Sequence, residues 1–356
     1  MAVLSEEQTM LRDMAREWTR NESPVAAWRK VRDADGAAGY DPAVLAEVAG
    51  MGWTGIIIPE AYGGSDFGWL SLGLVIEELG KTLTATPLAA SAGAAAAILL
   101  GGSDAQKQAY LPRIASGELV AALAIDEGGR HDPAAIATSV AAGKISGTKA
   151  FVAEGDTAGL FVVAASDGVY LVEDGAGVTR TRRHLADFRS HADVAFDGAA
   201  AERLDGGGDG LLDAILDRAA ILTAAEMLGM AGQAFETTLA YLKQRVQFGQ
   251  VLATFQALQH RMANLFSDIE QMRSAVEAGL AALDGGGDTR QAASLAKAKA
   301  NEVGHLMSRE MIQLHGGIGM TDEYDAGFYL KRMRVLEQMW GNAAWHRERF
   351  ARLNGY

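Results

Sequence analysis

The sequence predicts an α+β fold: a helical N-terminal domain over residues 1–120, a small antiparallel β domain over 121–204 and a C-terminal four-helix bundle over 205–356. Three observations predict it. Residues 5 to about 120 carry apolar side chains at helical spacing, with stops at Gly50-Met51-Gly52, Pro59 to Gly64, Gly80, Gly101-Gly102 and Pro112. From about 121 to 200 the texture changes to short apolar runs divided by turn residues. After Leu204 helical patterning returns and persists nearly to the C-terminus.

Taken in order, the N-terminal part contains an Ala-rich apolar stretch from Pro87 to Leu100, 14 residues long. It falls short of the ~20 residues that span a bilayer, so it predicts a buried helix. The β runs are Gly143 to Val152, Leu160 to Ala165, Gly168 to Val172, Gly177 to Thr181 and Asp193 to Phe196. The string LDGGGD occurs at 204–209 and again at 283–288, and its glycines predict a loop at both places. Between these loops Phe255, Leu258, Met262, Leu265, Ile269, Met272 and Val276 are spaced 3, 4, 3, 4, 3, 4, a core-facing seam. Residues 209 to 350 thus predict four long antiparallel helices joined by loops near 247–254, 283–289 and 316–325.

Composition narrows the partners. Of 356 residues 49% are hydrophobic and 22% charged, and 32 Lys plus Arg against 45 Asp plus Glu give a net charge of -13. No basic run stands out, so neither a nucleic acid nor an anionic membrane is expected as a partner. The absence of cysteine excludes disulfides, thiolate nucleophiles, Fe–S clusters and Cys-ligated zinc. The first residues carry charge from Glu6 onward, which does not fit a secretory signal, and a cytoplasmic location is expected.

Two helix junctions could carry chemistry. Arg245-Val246-Gln247-Phe248-Gly249-Gln250 ends one long helix and Phe255-Gln256-Ala257-Leu258-Gln259-His260 opens the next. Arg offers a fixed fork of donors for a pyrophosphate, and the aromatic could stack on a ring; the same string also reads as an ordinary interhelical turn. Gln313-Leu314-His315-Gly316-Gly317-Ile318-Gly319 ends another helix, and its glycines either leave N–H groups open to an anion or cap the helix. Its spacing is not G-x-G-x-x-G and no strand precedes it, which argues against a Rossmann site; no P-loop or G-x-S-x-G string occurs. His131, His184, His191, His260, His305, His315 and His346 contain no H-x-x-x-H pair, so no metal is expected and each reads as a surface or capping residue.

Together these segments resemble the acyl-CoA dehydrogenase family over essentially the whole chain. The resemblance rests on Ala49 to Trp53, Ile58-Pro59-Glu60-Ala61-Tyr62-Gly63-Gly64, Glu77-Glu78-Leu79-Gly80, Gln106-Lys107 through Leu111-Pro112, and Gly117-Glu118-Leu119. Most specific are Arg245-x-x-Phe248-Gly249 with Phe255-Gln256, and Gln313-x-x-Gly316-Gly317-x-Gly319. The resemblance implies FAD between subunits of a dimer or tetramer, with its adenosine diphosphate half held by Arg245, Phe248, Gln256, Gln313, Gly316 and Gly317. It also implies α,β-dehydrogenation of an acyl-CoA, with an electron-transfer flavoprotein as acceptor.

The family's base is a Glu at one of two places. These fall on Trp340, within Gln338-Met339-Trp340-Gly341-Asn342, and on Ala219, beside Arg218 and Ala220. Neither side chain accepts a proton. Glu226, about two turns beyond Ala219, is a weak substitute and reads first as an interior polar partner. Asp126-Glu127-Gly128-Gly129-Arg130-His131-Asp132 replaces the family's Thr-Glu-Pro-x-Ala-Gly-Ser-Asp, and Phe151-Val152-Ala153-Glu154-Gly155-Asp156 replaces its flavin-covering Trp and hydroxyl segment. The chain looks like the degenerate subunit of heteromeric members that act on steroid side chains, alongside a second acyl-CoA dehydrogenase chain. The alternatives are a non-catalytic structural subunit, or a flavin oxidase or monooxygenase on the same fold.

Overall fold

The computed structural model describes residues 3–34 and 39–356. The N-terminal helices are α1 (Glu6–Asn21), α2 (Val25–Asp33), α3 (Pro42–Gly50), α4 (Trp69–Lys81), α5 (Leu88–Gly101) and α6 (Asp104–Ala115). Local chemistry sets several starts. Ser5 and Gln8 form a capping box on α1, as do Ser103 and Gln106 on α6, while Asp41 caps α3 with Pro42 in its first turn. Pro112, predicted as a stop, lies inside α6, which ends one turn later. So near a C-terminus the ring removes one hydrogen bond without breaking the helix.

The strands are β1 (Ala121–Ala124), β2 (Ser139–Ala141), β3 (Lys144–Ala153), β4 (Leu160–Ala165), β5 (Gly168–Glu173), β6 (Val178–Arg182), β7 (His191–Ala200) and β8 (Glu202–Arg203). They form two four-stranded sheets, ordered β1-β4-β5-β8 and β2-β3-β7-β6. Pairing is antiparallel except for β1 with β4, which run parallel with Ala121 opposite Leu160. β4 is buried along its whole length, which accounts for its unbroken apolar run, whereas β3 alternates. β1 was not legible because Ala-Ala-Leu-Ala has little strand propensity; it is buried under α5, where a side chain on Gly93 would meet Leu123 at 3.0 Å.

The C-terminal helices are α7 (Leu211–Gln244), α8 (Gln256–Ala281), α9 (Thr289–His315), α10 (Ala326–Leu336) and α11 (Ala343–Leu353). A two-strand hairpin, β9 (Val246–Gln247) and β10 (Gln250–Val251), follows α7. The predicted seam is buried on α8 at Met262, Leu265, Ile269, Met272 and Val276, while Leu258 and the N-cap residue Phe255 at its start are only half-buried. Small residues let helices approach. A Cβ on Gly279 would lie 3.2 Å from Ile221 and one on Gly304 would strike Met333 at 2.4 Å. The fourth limb is not one long helix, because it breaks at 337–342 into α10 and α11.

The chain divides into two compact units. One comprises Met1–Ala27, Gly73–Thr84 and Ala220–Tyr356; the other comprises Trp28–Leu72 and Ala85–Ala219, including both four-stranded sheets. Among the described residues no helix is long and apolar enough to cross a membrane.

Candidate functional site

The first corner is built where α7 stops. Arg245 N–H still donates to Tyr241 at 2.9 Å, and the chain then reverses through β9 and β10 instead of the plain loop predicted for 247–254. Phe248 and Gly249 have φ of +53° and +79°, the two left-handed positions of a tight hairpin turn. Glycine takes that conformation freely; an aromatic residue does so at a cost of about 1–3 kcal/mol. Phe248 is also 89% exposed, touching Phe255 edge-on at 6.2 Å between ring centroids. A strained and exposed aromatic is a poor use of a Phe unless something packs on it. Arg245, Gln256 and Gln313 are exposed, and their side chains make no ion pair or hydrogen bond among the described residues.

The second corner ends α9. Gly316, at φ +64°, caps the helix by donating to the Gln313 carbonyl, and Gly317 follows in an exposed turn. His315, expected at the surface, is buried. Its Nδ1 lies 2.7 Å from the Met311 carbonyl, which fixes the proton there, and its Nε2 accepts from Tyr324 at 2.8 Å. Its ring lies 4.3 Å from that of Tyr241 and 4.7 Å from that of Tyr324. Burial lowers its pKa, with the Met311 hydrogen bond opposing. Tyr241 is one turn before Arg245 and His315 two residues after Gln313, so the two corners occupy one end of the bundle.

Trp340 sits elsewhere, on a turn held against the middle of α9. From Lys297, which holds that turn, to Gln313 the helix rises roughly 24 Å at 1.5 Å per residue, so turn and corners form separate clusters. Trp340 has φ +56° and Gly341 +103°; a Cβ on Gly341 would lie 2.7 Å from the Trp345 ring. This pair, followed by the Asn342 cap on Trp345 N–H at 3.0 Å, is why the predicted fourth helix is broken. Buried polar groups tie the turn down. Lys297 Nζ donates to Asn301 Oδ1 at 2.7 Å, to the Leu336 carbonyl at 2.9 Å and to the Gly341 carbonyl at 3.3 Å. Asn301 Nδ2 donates to the same Gly341 carbonyl at 3.2 Å, and His346 Nε2 to that of Trp340 at 2.8 Å. Burial pulls the Lys297 ammonium down to about 7 despite the opposing charge of Glu337.

The substitute base Glu226 is not free, and the second family position holds no base. The Glu226 carboxylate is clasped by Arg332 at 2.8 and 3.0 Å, the interior pairing expected of it. Ala219 is buried. Its neighbour Arg218 lies 5.5 Å over the Trp69 ring and donates to the Ala214 carbonyl at 2.9 Å, and burial lowers its pKa, with Asp217 opposing.

In the β unit the replaced segments satisfy themselves. Asp126 accepts from His131 Nδ1 at 3.0 Å and from Asp132 N–H at 3.2 Å. Glu127 accepts from the N–H groups of Ala137 and Thr138 and from Lys149 Nζ, each at 2.8 Å. Lys149 is fully buried and also donates to the Ile125 carbonyl at 2.9 Å. Burial works against the Glu127 charge, yet Lys149 and the other donors bring it to about 2; burial lowers Lys149 while Glu127 opposes. Phe151 stands out at a register shift between Lys149 and Val152, with φ +53° and its N–H on Asp193 Oδ1 at 3.0 Å. His131, His191 and His346 also have buried side chains, contrary to the surface reading, and one nitrogen of each ring pairs with a nearby carboxylate or carbonyl. Among the described residues no group of His, Cys, Asp or Glu could hold a metal.

Comparison with known proteins agrees with this architecture. Residues 5–118 match the acyl-CoA dehydrogenase N-terminal domain and residues 206–353 the acyl-CoA dehydrogenase C-terminal domain. The acyl-CoA dehydrogenase IpdE2 of Mycolicibacterium smegmatis is 30% identical over 342 residues, covering 95% of this chain and 96% of that one. A solved structure of a Tcur3481–Tcur3483 steroid ACAD variant is 31% identical with a TM-score of 0.91, covering 98% of each chain. One described as the electron transferring flavoprotein of Acidaminococcus fermentans is 28% identical with a TM-score of 0.90, covering 100% of this chain and 99% of that one. This chain belongs to the acyl-CoA dehydrogenase family, FAD-dependent oxidoreductases that act on CH–CH bonds.

Proposed function

We propose that the chain is one subunit of an oligomeric acyl-CoA dehydrogenase, supplying FAD-binding surface while a second acyl-CoA dehydrogenase chain supplies the base. The observation that carries this reading is an asymmetry. Arg245, Gln256 and Gln313 present uncommitted polar side chains, whereas the two places for a base hold Trp340 and a buried Ala219. Arg245 offers its guanidinium fork to the pyrophosphate, Gln256 and Gln313 offer amides, and Gly316 and Gly317 let backbone approach closely. Phe248 covers a ring across the subunit seam, which makes its strained exposure useful. FAD, when bound, supplies the electron sink for the β hydride of the acyl-CoA. The α proton goes to the partner chain's carboxylate, because Glu226 is committed to Arg332.

The likeness to a steroid enzyme supports a steroid side-chain thioester as substrate, and the likeness to an electron transferring flavoprotein structure supports such a protein as acceptor. Co-expression with a neighbouring dehydrogenase gene should yield a yellow complex that oxidises an acyl-CoA. Full activity in the isolated chain refutes the reading, and a colourless complex makes this chain a structural subunit.

A further inference from the structure

Lys297 is a lysine where the bundle has no evident use for one. It lies on the inward face of α9, in line with Ala293, Ala300 and Gly304, all buried. An ammonium has three donors, and here they meet three acceptors: Asn301 Oδ1, the Leu336 carbonyl and the Gly341 carbonyl. Two of these are backbone groups bracketing the turn that carries Trp340 at φ +56°. With His346 on the Trp340 carbonyl and Asn301 on that of Gly341, the ends of the turn are anchored by buried side chains. Such an arrangement costs desolvation of a cation and a left-handed aromatic residue, and what it gains is a fixed place for one side chain.

We propose that Lys297 is a positioning residue whose three hydrogen bonds set the turn at 336–341 and thereby fix the orientation of Trp340. A neutral amine has only two N–H groups and must release one acceptor, the longest contact being that to Gly341. Loss of the proton therefore loosens the turn. The groups around the ammonium define how it responds. Glu337, on the turn, raises its proton affinity and is itself bound by Arg334 and His305. From α11, His346 reaches the Trp340 carbonyl and Arg349 donates to Ser294 Oγ, three residues before Lys297. The role assigned to position 340 rests on the proposed function; the anchoring of the turn does not.

The test is optical and needs neither flavin nor partner. The contribution of Trp340 to fluorescence and near-UV circular dichroism of the full chain is isolated by subtracting Trp340→Phe, then titrated from pH 6 to 9. A transition centred near neutral pH is expected. Asn301→Asp places a carboxylate on the ammonium and should move the midpoint up by a unit or more, whereas Glu337→Gln should move it down. Lys297→Met should abolish it, and His346→Gln and His305→Gln should leave it in place. A Trp340 signal insensitive to pH, an identical transition in Lys297→Met, or midpoints unmoved in both carboxylate variants would overturn the proposal. Should Lys297→Met fail to fold, the opposite shifts of Asn301→Asp and Glu337→Gln decide it. A failed titration with flavin still bound by the assembly overturns the positioning role alone.

Discussion

Each unit buries one lysine completely, Lys149 in β3 and Lys297 in α9, and the two are held differently. Lys149 is paired with a carboxylate, Glu127 at 2.8 Å, and with one carbonyl. Lys297 has an amide oxygen and two carbonyls, with its nearest acid, Glu337, engaged by Arg334 and His305. Both pin a segment of the chain, the acidic loop at 126–132 in one case and the Trp340 turn in the other. The difference in partners decides what each lysine does: a pair with its own counter-ion is a fixed clamp, while a cation among neutral acceptors can lose its proton.

The largest effect expected is on activity. If the Lys297 platform is intact, Trp340→Glu in the flavin-loaded chain should raise acyl-CoA-dependent dye reduction by ~10²–10⁴-fold, the usual contribution of a general base. No gain, with flavin still bound, would show that the turn no longer presents its residue to the reaction. Next comes stability. Lys149→Met strands the Glu127 carboxylate and should cost about 3–5 kcal/mol, while Lys297→Met leaves neutral acceptors and should cost about 1–3 kcal/mol. Urea unfolding of both variants measures the order, and a larger loss from Lys297→Met would break the comparison.

The pH responses should also separate the two. Lys297 has a folded pKa of about 7 against 10.5 for the free side chain, so between those values the unfolded chain binds more protons. Stability attributable to it should rise as pH increases from 7 toward 10.5, and Lys297→Met should flatten that rise. Glu127 is lowered from 4.5 to about 2, so the stability it gives is present above 4.5 and lost as pH falls toward 2, a loss that Glu127→Gln should remove. The smallest effect is at the first corner. Phe248→Gly relieves a left-handed aromatic and should change stability by no more than about 1 kcal/mol in either direction, yet weaken FAD retention in a dialysis assay. Unchanged retention would remove Phe248 from the flavin site.

Much of this was legible in the sequence, and the omissions have physical reasons. The seam from Met262 to Val276 is legible because its helical period matches its burial, and the run from Leu160 to Ala165 because an unbroken apolar run matches a strand buried along its whole length. The two corners stand out through the family resemblance and not through spacing, because Arg, Gln and Gly at helix ends also make ordinary turns and caps. Lys297 was overlooked although its phase betrays it: Ala293, Lys297, Ala300 and Gly304 are spaced 4, 3, 4, an inward stripe containing one cation. The break in the fourth helix also left a signal, Gly341 followed by Asn342, a stop and then a cap. The buried His315 left none, because its partners Tyr241 and Tyr324 lie on other elements and only the fold brings them together.

The central claim is that Arg245, Phe248 and Gln256 of one subunit and Gln313, Gly316 and Gly317 of another grip the adenine nucleotide end of FAD across their interface. A structure of the assembly solved with saturating FAD tests it most directly. The account predicts the pyrophosphate within hydrogen-bonding distance of Arg245, with Gln313 of the neighbouring subunit at the adenosine. Both sets of residues facing solvent, or flavin bound far from either, would contradict it.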